Sequence, residues 1–254
     1  TAEDIITPDG TVRFTKGEIV DTVTTGKDGL AKSRELYLGK YEVKEIKAPY
    51  GMVLNDEIHT AELVYAGQNV SVTETATSFV NERQKVEISL KKTLEANNLF
   101  GIGQNGELKN ISFGLFSAEE LVSASGTSIP ADGLIEIVTL DESGNGTVKT
   151  DLPMGGYYVK ELATDEHYIL SDAKYPVTFE YAGQETAKVQ LAVNNGEAIE
   201  NNLIYGSVSG RKVNENGEPL GGALIGLFKY NDTEFTKENA LMTVTSKEDG
   251  SFSF

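Results

Sequence analysis

The sequence predicts an all-β protein of tandem β-sandwich domains, and three observations carry that prediction. Apolar residues alternate with polar ones: Val86, Ile88 and Leu90 with Glu87 and Ser89, Tyr157 and Val159 with Tyr158 and Lys160, Val177 and Phe179 with Thr178 and Glu180. A period of two is that of half-buried antiparallel strands. Between these runs stand turn pairs, namely Asn105-Gly106, Asp132-Gly133, Asn145-Gly146, Asn216-Gly217 and Asp249-Gly250, as expected of many short strands in a sandwich. Third, long stretches recur. Gly39 to Glu45 returns as Gly155 to Glu161, and Tyr65 to Gln68 as Tyr181 to Gln184, both at an offset of 116 residues. Ile88 to Lys92 returns as Val208 to Lys212 at an offset of 120. Repeats at that distance are whole domains rather than solenoid units.

Taking the elements in order, a full unit runs from about residue 84 to 203. Residues 1–83 match only its later part and residues 204–254 only its beginning, where Ile225-Gly226-Leu227-Phe228 answers Phe113-Gly114-Leu115-Phe116. Three domains are therefore expected: a partial one at 1–83, a complete one at 84–203 and a partial one at 204–254. Their connections, Glu82-Arg83-Gln84 and Leu203-Ile204, carry no Gly/Pro/Ser tract, which predicts stiff stacking rather than beads on a flexible linker. Ala118 to Ser123 is the one stretch that reads as a short helical turn.

Composition removes several functions. The 254 residues hold 22 basic and 39 acidic side chains, a net charge of −17, and such a field repels nucleic acid and anionic lipid. Cysteine is absent and only two histidines occur, so disulfides, cysteine nucleophiles and His/Cys metal centres are not expected. No apolar run approaches the roughly 20 residues of a membrane span. No secretory signal opens the sequence, which reads as a mature or excised segment. No cofactor or metal site is expected, and no catalytic triad or phosphate loop stands out.

One set of polar residues sits where apolar ones belong. Lys92 continues the inward parity of Val86, Ile88 and Leu90, and Glu161 that of Tyr157 and Val159. Asn201 shares a face with Ile199, as Asn81 does with Phe79. A shift of one residue would turn Lys91 or Asn202 inward instead. Such groups either reach solvent at strand ends, form a buried ion pair with an amide partner, or react. Burial drives a lysine toward the neutral, nucleophilic amine and a carboxyl toward the protonated acid. A neutral amine beside a carboxamide polarised by an acid can form an Nε–Cγ amide and expel ammonia, with the acid shuttling protons.

These residues carry a family resemblance. Ser89-Leu90-Lys91-Lys92 before Ser112 to Phe116, Ser209-Gly210-Arg211-Lys212 before Pro219 to Ala223, the Leu-Pro-x-Gly-x-Tyr-x-Val-x-Glu strand at Leu152 to Glu161, its variant with Tyr37 at Leu36 to Glu45, the Ala48-Pro49-Tyr50-Gly51 loop, and the late asparagines Asn81 and Asn201 resemble the Cna B-type (SpaA-like, prealbumin-like) domains of Gram-positive surface adhesins and pilins. The resemblance implies an Ig-like/prealbumin-like sandwich and a spontaneous Lys92–Asn201 isopeptide bond assisted by Glu161. In the partial domains Glu45 is the equivalent acid, and Asn81 and Lys212 are the crosslink candidates.

The expected function is a stalk or pilus-shaft segment of a cell-wall-attached, extracellular bacterial surface protein, with single-turnover crosslinking and no turnover enzyme. Its expected partners are other pilin or adhesin subunits, or host extracellular matrix. The alternative is an adhesin head binding matrix protein or glycan through the Ala48–Leu54 loop or the Phe100–Lys109 insertion, and a third is an accessory domain of a secreted hydrolase. Three signals are set aside. Leu152-Pro153-Met154-Gly155-Gly156 lacks the threonine of a sortase signal and reads as a turn. Asp141 to Gly146 begins like a calcium loop but has Leu152 where the bidentate glutamate belongs. His167 reads as a surface residue.

Overall fold

The computed structural model describes residues 1–122 and 126–254. It forms two compact units. The first comprises Thr1–Glu87, Asp151–Gly155 and Phe179–Gln190; the second comprises Ile88–Thr150, Gly156–Thr178 and Leu191–Phe254.

In the first unit, β1 (Ile5–Ile6) and β2 (Val12–Phe14) make a small antiparallel hairpin. β3 (Gly39–Lys44) pairs antiparallel with β4 (Ile58–Leu63), from Gly39 opposite Leu63 to Lys44 opposite Ile58. The inward Tyr41 is buried, and its hydroxyl donates to the Tyr37 carbonyl at 2.7 Å. The connection at Glu82–Gln84 is tied down. Gln84 is fully buried; its Nε2 donates to the carbonyls of Gly183 and Thr186, and its Oε1 accepts from the Ala182 amide at 2.8 Å. Every polar atom of that side chain is thus satisfied, which is the condition for burying it. Arg83 adds a bond from Nη1 to the Leu152 carbonyl at 2.7 Å and an ion pair to Asp151.

The remaining strands follow in chain order: β5 (Lys85–Leu94), β6 (Ser112–Ser117), β7 (Leu121–Val122), β8 (Ser128–Ile129), β9 (Leu134–Thr139), β10 (Asn145–Thr147), β11 (Gly155–Ala163), β12 (Lys174–Phe179), β13 (Lys188–Ala192) and β14 (Ile199–Asn201). Eight of them make two four-stranded sheets, and β7 pairs with β8 alone. One has the order β10-β5-β13, with β14 also pairing parallel to β5, and the other has the order β12-β11-β6-β9. The fold is the all-β sandwich that the alternation requires. Ile88 and Leu90 of β5, Phe113 and Leu115 of β6, Val138 of β9, and Tyr157 and Val159 of β11 are buried in the second unit. Two shorter ladders complete that unit: β15 (Ser209–Arg211) with β18 (Ser251–Ser253), and β16 (Leu224–Leu227) with β17 (Met242–Thr245).

Two local expectations are corrected. Leu121 and Val122, within the stretch read as a helical turn, form β7, because Leu121 is wanted in the core and pairs with Ile129; Ser123 lies outside the described residues. Asn145-Gly146 is not the turn but the start of β10. The reversal lies just before it, with Gly144 at φ +81° and the Asp141 carboxylate accepting the amides of Ser143 and Asn145. Asp141 therefore holds the turn by which the chain crosses from β9 in one sheet to β10 in the other. Leu152 is buried, and Gly155 opens β11.

Candidate functional site: a buried Lys-Glu-Asn cluster

Lys92 lies in β5, Glu161 in β11 and Asn201 in β14. The parity of each strand points its side chain inward, and their exposures are 1%, 1% and 2%. The neighbours that a register shift would have promoted, Lys91 and Asn202, are exposed. The sandwich thus brings together the three residues chosen from the repeat. β14 runs parallel to β5, with Ile199 opposite Lys92. β11 shifts register against β6 directly after Glu161, a bulge between the Glu161–Phe113 pair and the last pair, Ala163 with Ser112.

The Lys92 Nζ donates to the carbonyls of Thr93 at 2.9 Å and Ile199 at 3.0 Å, and lies 4.0 Å from Glu161 Oε1. Asn201 Nδ2 donates to Glu161 Oε1 at 2.8 Å and Oε2 at 2.9 Å, and reaches Thr164 Oγ1 at 2.9 Å. Glu161 Oε2 also accepts the Ser171 amide at 2.9 Å. The carboxyl faces the amide nitrogen, whereas an acid that polarises the carboxamide for attack would stand on its carbonyl oxygen. The two ends of a carboxamide have the same shape, so only the hydrogen-bond network separates them. Asn201 Oδ1 is buried and has no partner among the described residues. An orphaned buried acceptor costs about 1–3 kcal/mol.

Burial lowers the Lys92 pKa from 10.5 to about 8, against smaller upward pulls from Glu161 and Glu200. The drop enlarges the neutral amine fraction at neutral pH by roughly 300-fold.

A glycine holds the lysine strand. The Lys92 amide donates to the Gly144 carbonyl at 2.7 Å, and a Cβ on Gly144 would stand 2.3 Å from the Lys92 carbonyl oxygen. With φ +81° as well, only glycine fits. Gly144→Ala is expected to destabilise the domain by about 2 kcal/mol or more, readable as a lower urea midpoint with an unchanged slope. Sequence reasoning missed Gly144; the signal available was its recurrence as Gly250 in Asp249-Gly250.

The partial repeats hold parts of the same cluster. Glu45 Oε2 accepts Asn81 Nδ2 at 2.6 Å and the Asn55 amide at 2.8 Å, copying Glu161 with Asn201 and Ser171. Lys212 Nζ donates to the Val213 carbonyl at 2.9 Å, as Lys92 does to Thr93, and its amide donates to Gly250 at 2.8 Å. Lys212 is exposed.

The loop offered as a ligand surface is engaged within the first unit. The Ala48 and Leu54 amides donate to the Gln184 side chain and carbonyl at 2.9 Å each, and the Tyr50 ring lies 4.8 Å from that of Tyr181. His167 bonds Asp165 through Nδ1 at 2.7 Å, with half its side chain exposed. That partner raises its pKa.

Comparison with known proteins agrees with this architecture. The chain is 38% identical over 73 residues to the trypsin-resistant surface T6 protein of Streptococcus pyogenes serotype M6; the match covers 28% of this chain and 14% of that protein. The structure of the Bacillus anthracis TIE protein superposes over 91% of this chain and 37% of that one, at a TM-score of 0.58 and 22% identity. The T6 backbone pilin of serotype M6 Streptococcus pyogenes, described as a modular three-domain structure, matches 38% of this chain and 16% of its own at 23% identity and a TM-score of 0.25. The chain thus spans well under two thirds of each of these relatives. A family model for the SpaA prealbumin-like fold domain matches residues 5–78 and again 101–195, taking in Glu45 and Glu161. Over most of its length, in two successive copies, this chain belongs to the family of SpaA prealbumin-like fold domains.

Proposed function

We propose that the chain is a load-bearing stalk or pilus-shaft segment of a Gram-positive surface protein, whose complete domain, residues 84–203, is locked by a Lys92–Asn201 isopeptide bond. The observation that carries this reading is Glu161 Oε1, 4.0 Å from the amine and 2.8 Å from the amide nitrogen inside a closed core. One carboxyl hydrogen-bonded to the amide and 4.0 Å from the amine suits a proton shuttle. The neutral Nζ of Lys92 attacks Cγ of Asn201, and the Nζ–Cγ bond forms. A proton leaves Nζ through Glu161 to Nδ2. The Cγ–Nδ2 bond breaks and ammonia departs, leaving an amide. Proximity of this kind is worth about 7–11 kcal/mol in related reactions. The unpartnered Oδ1 raises the energy of the starting amide, and the pKa of about 8 keeps a usable share of amine neutral.

A bond from β5 to β14 joins the first strand of this domain to its last. Tension entering at one end would pass through that bond rather than peel the sheets apart. It survives reductants, which suits a chain without cysteine. The homology to the T6 surface protein supports a place on the bacterial surface.

Intact mass tests the bond. The chain is expected to weigh one ammonia less than its sequence, with the deficit confined to a proteolytic product linking the Lys92 and Asn201 peptides. A mass equal to that of the sequence would remove the crosslink from this account.

A further inference from the structure

The bulge in β11 turns one more polar side chain toward the cluster. Glu161 and Thr164 are three residues apart, a spacing that in a regular strand puts them on opposite faces. The register shift between Glu161 and Ala163 adds one residue, so Leu162 and Ala163 are both exposed and Thr164 turns back to the side of Glu161. There its Oγ1 accepts Asn201 Nδ2 at 2.9 Å. Lys92, Glu161 and Asn201 are buried, whereas Thr164 is half-buried.

Nδ2 is thereby surrounded by more acceptors than a carboxamide can use. Glu161 Oε1 lies at 2.8 Å, Glu161 Oε2 at 2.9 Å and Thr164 Oγ1 at 2.9 Å, but a carboxamide nitrogen carries two hydrogens. The first repeat has no such excess among the described residues. Asn81 Nδ2 donates to Glu45 Oε2 at 2.6 Å and to the Val53 carbonyl at 2.9 Å, two acceptors for two hydrogens. The position of Thr164 is occupied there by Ala48, 116 residues earlier. Three acceptors match a nitrogen with three hydrogens, the state Nδ2 reaches when it has been protonated and is about to leave Cγ. A contact completed only at that stage favours the reaction over the resting amide, and it strengthens as the nitrogen gains positive charge.

We propose that Thr164 is a catalytic residue of the Lys92–Asn201 crosslink, its hydroxyl oxygen being the third acceptor that receives Nδ2 as that nitrogen leaves. The inference rests on the reading of Lys92, Glu161 and Asn201 as a reacting set. The Nζ–Cγ bond forms, and Glu161 carries a proton from Nζ to Nδ2. The Cγ–Nδ2 bond then breaks, its electron pair departing with ammonia. Thr164 neither gains nor loses a proton. As the half-buried member of the cluster, it also marks the side on which ammonia reaches solvent.

The test uses the full chain, recovered unfolded from inclusion bodies and refolded by dilution, with loss of one ammonia followed by intact mass. Thr164→Val keeps the shape without the oxygen, Thr164→Ala carries the residue of position 48, and Thr164→Ser restores the hydroxyl. Valine and alanine are expected to slow the loss by about 10- to 100-fold, the rate equivalent of one hydrogen bond, while serine stays within about threefold of wild type. The pH at which the rate levels off should remain near 8 in all of them, because the surroundings of Lys92 are unchanged. Valine and alanine variants that react at the wild-type rate overturn the inference, and so does a serine variant as slow as they are. A levelling pH that moves upward in the slow variants also overturns it, since the loss would then come from water reaching the amine. A wild type that loses ammonia while every variant keeps pace leaves the Lys92–Asn201 bond standing and removes only the role of Thr164. A wild type that keeps its full mass removes both.

Discussion

A chain carrying Lys92→Ala is expected to regain the mass of one ammonia and to melt roughly 20 °C or more below the wild type. The bond would close a loop of about 110 residues, and on the chain-entropy treatment used for disulfides this removes about 5 kcal/mol from the unfolded state. In a domain of this size each kcal/mol moves the melting temperature by about 4 °C. A further cost falls on the variant, because the space of the buried lysine stem is left empty. Lys92→Met separates these terms, since it fills the space without an amine. Calorimetry should place it between alanine and wild type, still well below the crosslinked chain. If Lys92→Ala melted with the wild type, tension-bearing through this bond would have no basis.

Glu161→Gln should be the more instructive change, because it keeps the shape of the side chain and one acceptor oxygen but cannot carry a proton between Nζ and Nδ2. Bond formation after refolding, followed by mass, is expected to slow by about 10²–10⁴-fold, the usual worth of a positioned acid–base group. The pH dependence of the wild-type rate follows from Lys92. Burial lowers its pKa to about 8, and only the neutral amine attacks. The rate should therefore rise about tenfold per pH unit below 8 and level off above it. Against an ordinary lysine, the levelling comes about 2.5 units early. A rate still climbing at pH 10 would mean the amine reacts from a solvated, unperturbed state.

Parity is the reason so much of the site was legible. In a strand, one residue's facing fixes that of every second neighbour, so apolar Ile88 and Leu90 dictate that Lys92 is buried and Lys91 exposed. The repeat did the rest, by showing the same exception at Glu45 and Glu161. Turn chemistry was read less well. Asn145-Gly146 has the letters of a two-residue hairpin, yet the chain reverses one step earlier, where Gly144 takes φ +81° under the Lys92 carbonyl. That choice depends on how closely β5 approaches, a distance no local pattern contains. Gln84 escaped notice for a similar reason. Its burial depends on carbonyls of Gly183 and Thr186, about a hundred positions away in sequence.

By itself the sequence determined an all-β chain, the recurrence of its domain, and the lysine, glutamate and asparagine that interrupt its apolar faces, because period-two patterning and internal repetition are local and countable. Only the tertiary structure decided that one carboxyl oxygen stands 4.0 Å from the amine and 2.8 Å from the amide nitrogen, and that the Asn201 carbonyl is left without a partner among the described residues. Those facts arise where separate strands meet, and the distances between strands are set by the packing of the whole core rather than by any one segment.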